Sequence, residues 1–181
     1  MRVLTKVSNL SLPYQLIVIL SFSIFMAVSS QVKINLWFTP VPVTFQTLVL
    51  FLSIVFLKKK AFISQAIYVS LGLIGVPVFS KGAGLFYLLG PTGGYILGFF
   101  IVALLFPYLI EKIERSSYLI IKLFLIFLVA NISIYLFGTI WLKIFLKISL
   151  MRAIGLGIIP FIIGDLFKIL IASTISCRVL N

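Results

Sequence analysis

The chain of 181 residues contains no histidine, one cysteine and only three acidic residues. Without an imidazole, His-based metal sites and Ser-His nucleophiles are excluded, and neither a metal nor a cofactor is expected. Cys177 alone excludes an intramolecular disulfide. The tripeptide Gly-Lys-Ser/Thr is also missing, so no P-loop is present to hold a nucleotide. Charged residues make up 10% of the chain and hydrophobic ones 62%, whereas a soluble domain is about a quarter charged and about half apolar. The scarce acids are unevenly placed. Glu111 and Glu114 share a polar connector, and Asp165 alone is embedded in apolar sequence.

What is abundant is apolar sequence, in runs that recur along the whole length. This predicts an all-α, polytopic membrane protein with one transmembrane domain over residues 1–181. Six spans are expected: Pro13–Ser30, Val43–Leu57, Ala61–Val76, Gly90–Ile110, Ser117–Trp141 and Pro160–Val179. Between the last two, Leu142–Ile159 carries Lys143, Lys147 and Arg152 in an apolar background, a pattern that suits an interfacial segment better than a span. Arg2 and Lys6 precede the first run, and Ala27-Val-Ser29 is similar to a signal-peptidase site. The run is longer than a usual signal core and more spans follow, so it reads as a first transmembrane helix, with a cleaved signal as the alternative.

The net charge of +12 is explained by basic residues that flank apolar segments. They point to topology and membrane lipid headgroups rather than to nucleic acid. Arg2, Lys6, Lys58, Lys59, Lys60, Lys112, Arg115, Lys122 and Arg178 share one side. The smaller set of Lys33, Lys81, Lys143, Lys147 and Arg152 falls on the other. The bias predicts that both termini are cytoplasmic. The outer connectors then hold the prolines, glycines and aromatics, and a site built from them opens outward. Non-helical backbone of this kind is tolerated at membrane depth where it packs in protein or lines a cavity.

Four stretches and one residue pair are candidates for function. Asp165 and Lys168 lie three residues apart, on one face of a helix. Ionisable residues at membrane depth are costly and normally face the bundle interior or a cavity, so the pair is a candidate site; the alternative is a structural ion pair. Thr44 and Gln46 follow a rigid Pro40-Val-Pro42 turn and offer hydrogen-bonding groups, although Thr44 equally suits a helix cap. Gly90-Pro-Thr92-Gly93-Gly94-Tyr95 opens a helix and either presents free backbone N–H groups or permits close packing. Asn131 and Tyr135 are i,i+4 neighbours that either enter a site or bond between helices. Ser23 and Ala27 form a small-xxx-small pattern, a hint of a docking face for a partner helix.

Taken together, Pro40-Val-Pro-Val-Thr-Phe-Gln-Thr47, Gly75-Val-Pro-Val-Phe79, Gly90-Pro-Thr-Gly-Gly-Tyr95, Asn131 with Ile134-Tyr135 and Phe137-Gly138, and Pro160 with Gly164-Asp-Leu-Phe-Lys168 resemble the BioY family. Its members are the biotin-specific substrate-binding (S) components of energy-coupling factor (ECF) transporters. The motifs occur in the family's order over almost the whole chain. The resemblance implies a six-helix bundle of the S-component type, with outer loops capping a pocket for biotin. It also implies a transmembrane coupling protein and two cytoplasmic ATPases as partners, a bacterial cytoplasmic membrane location, and no catalytic residue. One departure is Ser80-Lys-Gly-Ala-Gly84, where the family has a Gly-rich run; Lys81 is expected to alter the lid.

Biotin has an apolar bicyclic body, a polar ureido group and a carboxylate on a flexible tail, and it calls for an apolar, aromatic-lined pocket with a few polar groups. Asp165 suits ureido N–H groups and Lys168 the carboxylate or the ureido oxygen. Asn131, Gln46 and Thr44 offer neutral hydrogen bonds, and Phe79, Tyr95 and Tyr135 offer rings. Three other readings are a biotin facilitator that works without ATPases, a membrane enzyme using Asp165 and Lys168, and a structural subunit. The lack of histidine and of an activated Ser or Cys weighs against the enzyme.

Overall fold

Long apolar stretches without internal glycine or proline pairs form the longest helices, and the Pro/Gly-rich connectors break them. In the computed structural model, which describes residues 11–114 and 116–180, these become α1 (Leu12–Gln31), α2 (Gln46–Leu57), α3 (Ala61–Leu73), a one-turn α4 (Leu85–Leu88), α5 (Gly93–Glu111), α6 (Leu119–Leu146), α7 (Leu150–Gly157) and α8 (Ile162–Leu180). A two-stranded antiparallel ribbon, β1 (Lys33–Ile34) and β2 (Val43–Thr44), pairs Lys33 with Thr44 and Ile34 with Val43. Arg2, Lys6 and Arg115, three of the residues used to predict orientation, lie outside the described residues, as does the N-terminal part of the signal-like pattern.

The six expected spans correspond to α1, α2, α3, α5, α6 and α8, with corrected ends. The second was expected to start at Val43, but Val43 and Thr44 are in the ribbon. The third stops at Leu73 rather than Val76. In place of a helix from Gly90, residues 90–92 turn, and α5 begins at Gly93. The fifth runs on past Trp141 to Leu146, where Lys147 in a left-handed conformation (φ 54°) ends it. The interfacial segment thus divides into the last turn of α6 and the separate α7, whose N-cap Ser149 accepts a bond from the Arg152 N–H. Among the described residues, four stretches are long and apolar enough to cross a membrane: Leu12–Gln31, Gly93–Glu111, Leu119–Leu146 and Leu150–Leu180. The 12 residues of α2 and 13 of α3 reach only about 18–20 Å at 1.5 Å per residue. Both are cut short at the same end, where the connectors fold over them.

Helix direction places the connectors 32–45, 74–92 and 147–161 at one end of the bundle and the Lys58–Lys60 turn with residues 112–114 and 116–118 at the other. Lys59 there reaches Glu111 at 3.4 Å. The bundle interior toward the lysine end is filled by Leu50, Phe51 and Ile54 of α2, Val102 and Ala103 of α5, Leu123 and Phe127 of α6, and Ile169 and Ala172 of α8, all with no exposure. Phe51 and Phe127 stack at 5.0 Å. Outward, α1 exposes Leu16, Ile17, Leu20, Ile24 and Phe25, and α6 exposes Leu125, Val129, Ile132, Leu136 and Ile140. Such continuous apolar faces suit lipid, not water, so the chain is a membrane protein.

The small-xxx-small pattern of α1 is occupied within the chain. Ser23 is buried and its hydroxyl donates to the Ser64 carbonyl of α3 at 2.9 Å, while Ala27 is half-buried against the core. The small side chain of Ser23 lets α1 and α3 approach each other.

Candidate functional site

The candidate site begins with two residues that a helix places together. Asp165 and Lys168 stand one turn apart on the inward face of α8, both buried, with Lys168 Nζ donating to Asp165 Oδ1 at 2.8 Å. Two other helices complete the acid's surroundings. Thr47 Oγ1 of α2 donates to Oδ1 at 3.3 Å; from α6, Tyr135 Oη donates to Oδ2 at 2.6 Å and Asn131 Nδ2 at 3.5 Å. Each carboxylate oxygen therefore has two donors, which offsets its removal from water. Lys168 also sits 6.0 Å from the centroid of the Phe45 ring. Replacing Tyr135 with Phe removes the shortest of these bonds. It is expected to lower stability by about 1.5–3 kcal/mol, the range for bonds to charged groups, measured as detergent-resistant thermal unfolding; an unchanged transition would count against the bond.

Above this cluster is a cavity of about 60 Å³ lined by Val41, Pro42, Thr44, Gln46, Thr47, Tyr68, Ser80, Tyr87, Thr92, Tyr95, Ile96, Phe99, Ile134, Tyr135, Phe161, Asp165 and Lys168. Aromatic and aliphatic walls with a few polar groups are the usual chemistry of a small-molecule site. The polar groups are held in place. Gln46 Nε2 donates to Tyr68 Oη at 2.8 Å, and its Oε1 accepts from Thr44 Oγ1 at 3.2 Å. Tyr95 Oη donates to the Gly157 carbonyl at 2.7 Å, and Ser80 and Tyr87 share a 2.6 Å hydroxyl bond. The free space is well below the roughly 300–1,000 Å³ typical of ligand sites.

Those loops are tied to one another. Ser30 Oγ donates to the Val78 carbonyl at 2.6 Å, Gln31 Nε2 to the Phe79 carbonyl at 3.0 Å, and Thr39 Oγ1 to the Leu156 carbonyl at 2.8 Å. Lys33 Nζ donates to the Ser80 carbonyl, and Lys81 Nζ to the Pro40 carbonyl at 3.0 Å. Lys81, the departure noted in the sequence, thus bridges the 74–92 connector to the 32–45 connector.

Of the residues singled out from sequence, Thr44, Gln46, Thr92, Tyr95, Tyr135, Asp165 and Lys168 line the cavity. Asn131 is behind it, bonded to Asp165. Phe79 is a layer further out, stacked on Tyr87 at 4.8 Å and edge-on to Tyr68 at 5.5 Å. Gly93 and Gly94 do not line the cavity but permit packing. A Cβ on Gly94 would lie 2.2 Å from Trp141 Cβ and 2.5 Å from the Phe137 carbonyl, and one on Gly93 only 1.7 Å from the Leu88 carbonyl. The sequence reading missed Thr47, Tyr68, Ser80, Tyr87 and Phe161. Thr47 ends the Pro40–Thr47 motif and was within reach of that signal. Tyr68 is a lone tyrosine in an apolar run, with no local mark.

The site and the fold have relatives. The BioY family model matches residues 4–181. The chain is 35% identical over 135 residues to biotin transporter BioY2 of Lactococcus lactis subsp. cremoris, covering 74% of this chain and 72% of that protein. It is 38% identical over 143 residues to biotin transporter BioY of Thermotoga maritima, covering 77% and 80%. It is 35% identical over 167 residues to a probable biotin transporter BioY of Lysinibacillus sphaericus, covering 88% and 83%. A crystal structure of the S-component for biotin from an ECF-type ABC transporter superposes with a TM-score of 0.84 at 25% identity, covering 94% of each chain. With its polar cluster on α8 beneath tied loops, and a family match over nearly its whole length, the chain belongs to the BioY family.

Proposed function

We propose that this protein takes up biotin as the substrate-binding subunit of an ECF-type transporter. The observation that carries the reading is the cavity beneath the connectors, where the paired Asp165 and Lys168 meet Thr47, Gln46, Tyr95 and Tyr135, in a chain similar over its length to proteins named biotin transporters and to an S-component for biotin. The protein is a transporter and not an enzyme. The substrate needs no chemistry, only a shaped apolar pocket and hydrogen bonds to its polar ends. Lys168 retains N–H donors for a substrate carbonyl or carboxylate, and Tyr135, Gln46 and Thr44 retain acceptor capacity. Asp165 organises these groups and faces the cavity itself.

Packing below the site supports energised delivery by partners over a solitary facilitator. Phe51, Phe127, Leu50, Ile54 and Ile169 are fully buried on the lysine-end side of the cavity, so among the described residues the bundle is packed there. Biotin then leaves by the mouth it entered, and the subunit must reorient as a body. The absent P-loop assigns ATP hydrolysis to other chains, a transmembrane coupling protein with two cytoplasmic ATPases. The lysine-rich end lies on the cytoplasmic side of the bacterial inner membrane with both termini, and the connectors face outward. Purified protein in nanodiscs is expected to bind biotin at submicromolar concentration, and vesicles are expected to accumulate it only with the energising module and ATP. Absence of binding at micromolar biotin would overturn the reading; uptake by the lone subunit would favour the facilitator.

A further inference from the structure

The chain's acids leave one end of the molecule uncompensated. Glu111 and Glu114 are at the lysine-triplet end, and Asp165 is paired with Lys168. The connectors over the cavity carry Lys33, Lys81, Lys147 and Arg152 with no carboxylate among them. Two of these cations are positioned by the fold. The Lys33 ammonium rests on the Ser80 carbonyl and that of Lys81 on the Pro40 carbonyl. Ser80 lines the cavity itself, and Pro40 precedes the lining residues Val41 and Pro42. The bridges cross in opposite directions between the 32–45 and 74–92 connectors. Neither lysine lines the cavity, but each is bonded to a connector residue that lines it or immediately precedes its lining.

We infer that Lys33 and Lys81 form a cationic collar that captures the carboxylate of an incoming substrate and so makes the site faster for the anion than for a neutral analogue. The inference rests on the biotin reading and adds a specificity determinant at the mouth. Three physical points carry it. First, each ammonium is bonded to a neutral carbonyl, so its full charge remains to attract an anion, and like-signed connectors focus that field. Second, a carboxylate is the stronger acceptor: charge-assisted bonds are about twice as strong as bonds to neutral partners. An arriving carboxylate therefore competes with the two carbonyls, and its success releases the bridges that hold the loops over the cavity. Third, Asp165 at the deep end is paired with Lys168 and the pair carries no net charge, so the surplus positive charge lies on the connectors. The charged tail is thus matched to the connectors and the neutral ring system to the depth.

The test is the association rate constant of biotin and of its uncharged primary amide, measured with native protein and a K33M/K81M variant in phosphatidylcholine nanodiscs. The zwitterionic lipid removes competition from anionic headgroups, and Met keeps the apolar stem. Native protein is expected to bind biotin about tenfold faster than the amide at low salt, within the range of electrostatic steering. That advantage should disappear as ionic strength rises. The variant is expected to bind biotin at close to the amide's rate with a much weaker salt dependence, and K33R/K81R to restore the difference. Equal rates for the two ligands on native protein would overturn the collar. So would a variant that slows both equally, since the lysines would then act only as loop ties. Native protein that binds neither ligand would instead overturn the biotin reading, which equilibrium binding alone detects.

Discussion

Replacing Lys168 with methionine is expected to lower biotin affinity by about 100-fold and to destabilise the protein by about 3–5 kcal/mol. The second figure is the cost of leaving one partner of a buried ion pair alone. Lys168 Nζ is 2.8 Å from Asp165 Oδ1, and both residues are buried. Without the ammonium, Asp165 keeps only the neutral donors Thr47, Tyr135 and Asn131. The affinity loss follows from removing a charged donor in the cavity, worth about 1.5–3 kcal/mol, or roughly one to two decades in binding. Stability and binding can be separated. The double variant D165N/K168M removes both charges and is expected to recover most of the thermal stability, because no charge is then buried unpaired, while affinity stays low. Equilibrium binding and thermal unfolding of the native protein and the two variants in detergent test this. If K168M binds biotin with native affinity, Lys168 has no role at the site.

Gly94→Ala is expected to damage both stability and binding, although it touches neither charge. Gly94 is where α5 crosses α6. A methyl there meets Trp141 Cβ at 2.2 Å and the Phe137 backbone oxygen at 2.5 Å. Neither atom belongs to the free end of a flexible side chain, so the helices must separate. Trp141 would shift with them and strain its Nε1 bond to the Gly90 carbonyl, now 2.8 Å. That bond anchors the turn into α5, and Thr92 and Tyr95 of the cavity wall move with it. Overpacking commonly costs about 1–3 kcal/mol and occasionally more. A backbone obstruction at a helix crossing places this variant at the upper end, with loss of biotin binding. Gly155→Ala is the control. A Cβ there meets nothing within 4 Å and no left-handed backbone is required. In α7 that change should be neutral or stabilise by up to about 1 kcal/mol, through the gain in helix propensity. Equal effects of the two substitutions on thermal unfolding would sink the packing argument.

Much of this protein is legible in its sequence because the controlling physics is local. The run lengths and the scarcity of charge require a membrane bundle. The prolines and glycines require irregular connectors, which alternate hydrophobic helices place at a common end. Asp165 and Lys168 share a helix face at a separation of three residues, so no other element is needed to see that they meet. The tertiary structure decided what depends on how the helices rotate and pack against each other. Thr47 and Asp165 are 118 residues apart and bond across α2 and α8. No local pattern distinguishes Tyr68, which reaches the cavity, from Phe79, which is held behind it. The same holds for Gly93 and Gly94: in sequence their missing side chains suit an anion site or a helix contact equally well, and only the position of α6 selects the contact. Ser23, a docking candidate by pattern, faces α3 within its own chain. Sequence spacing thus determined which residues share a face, whereas the partner of that face was determined by packing between distant helices.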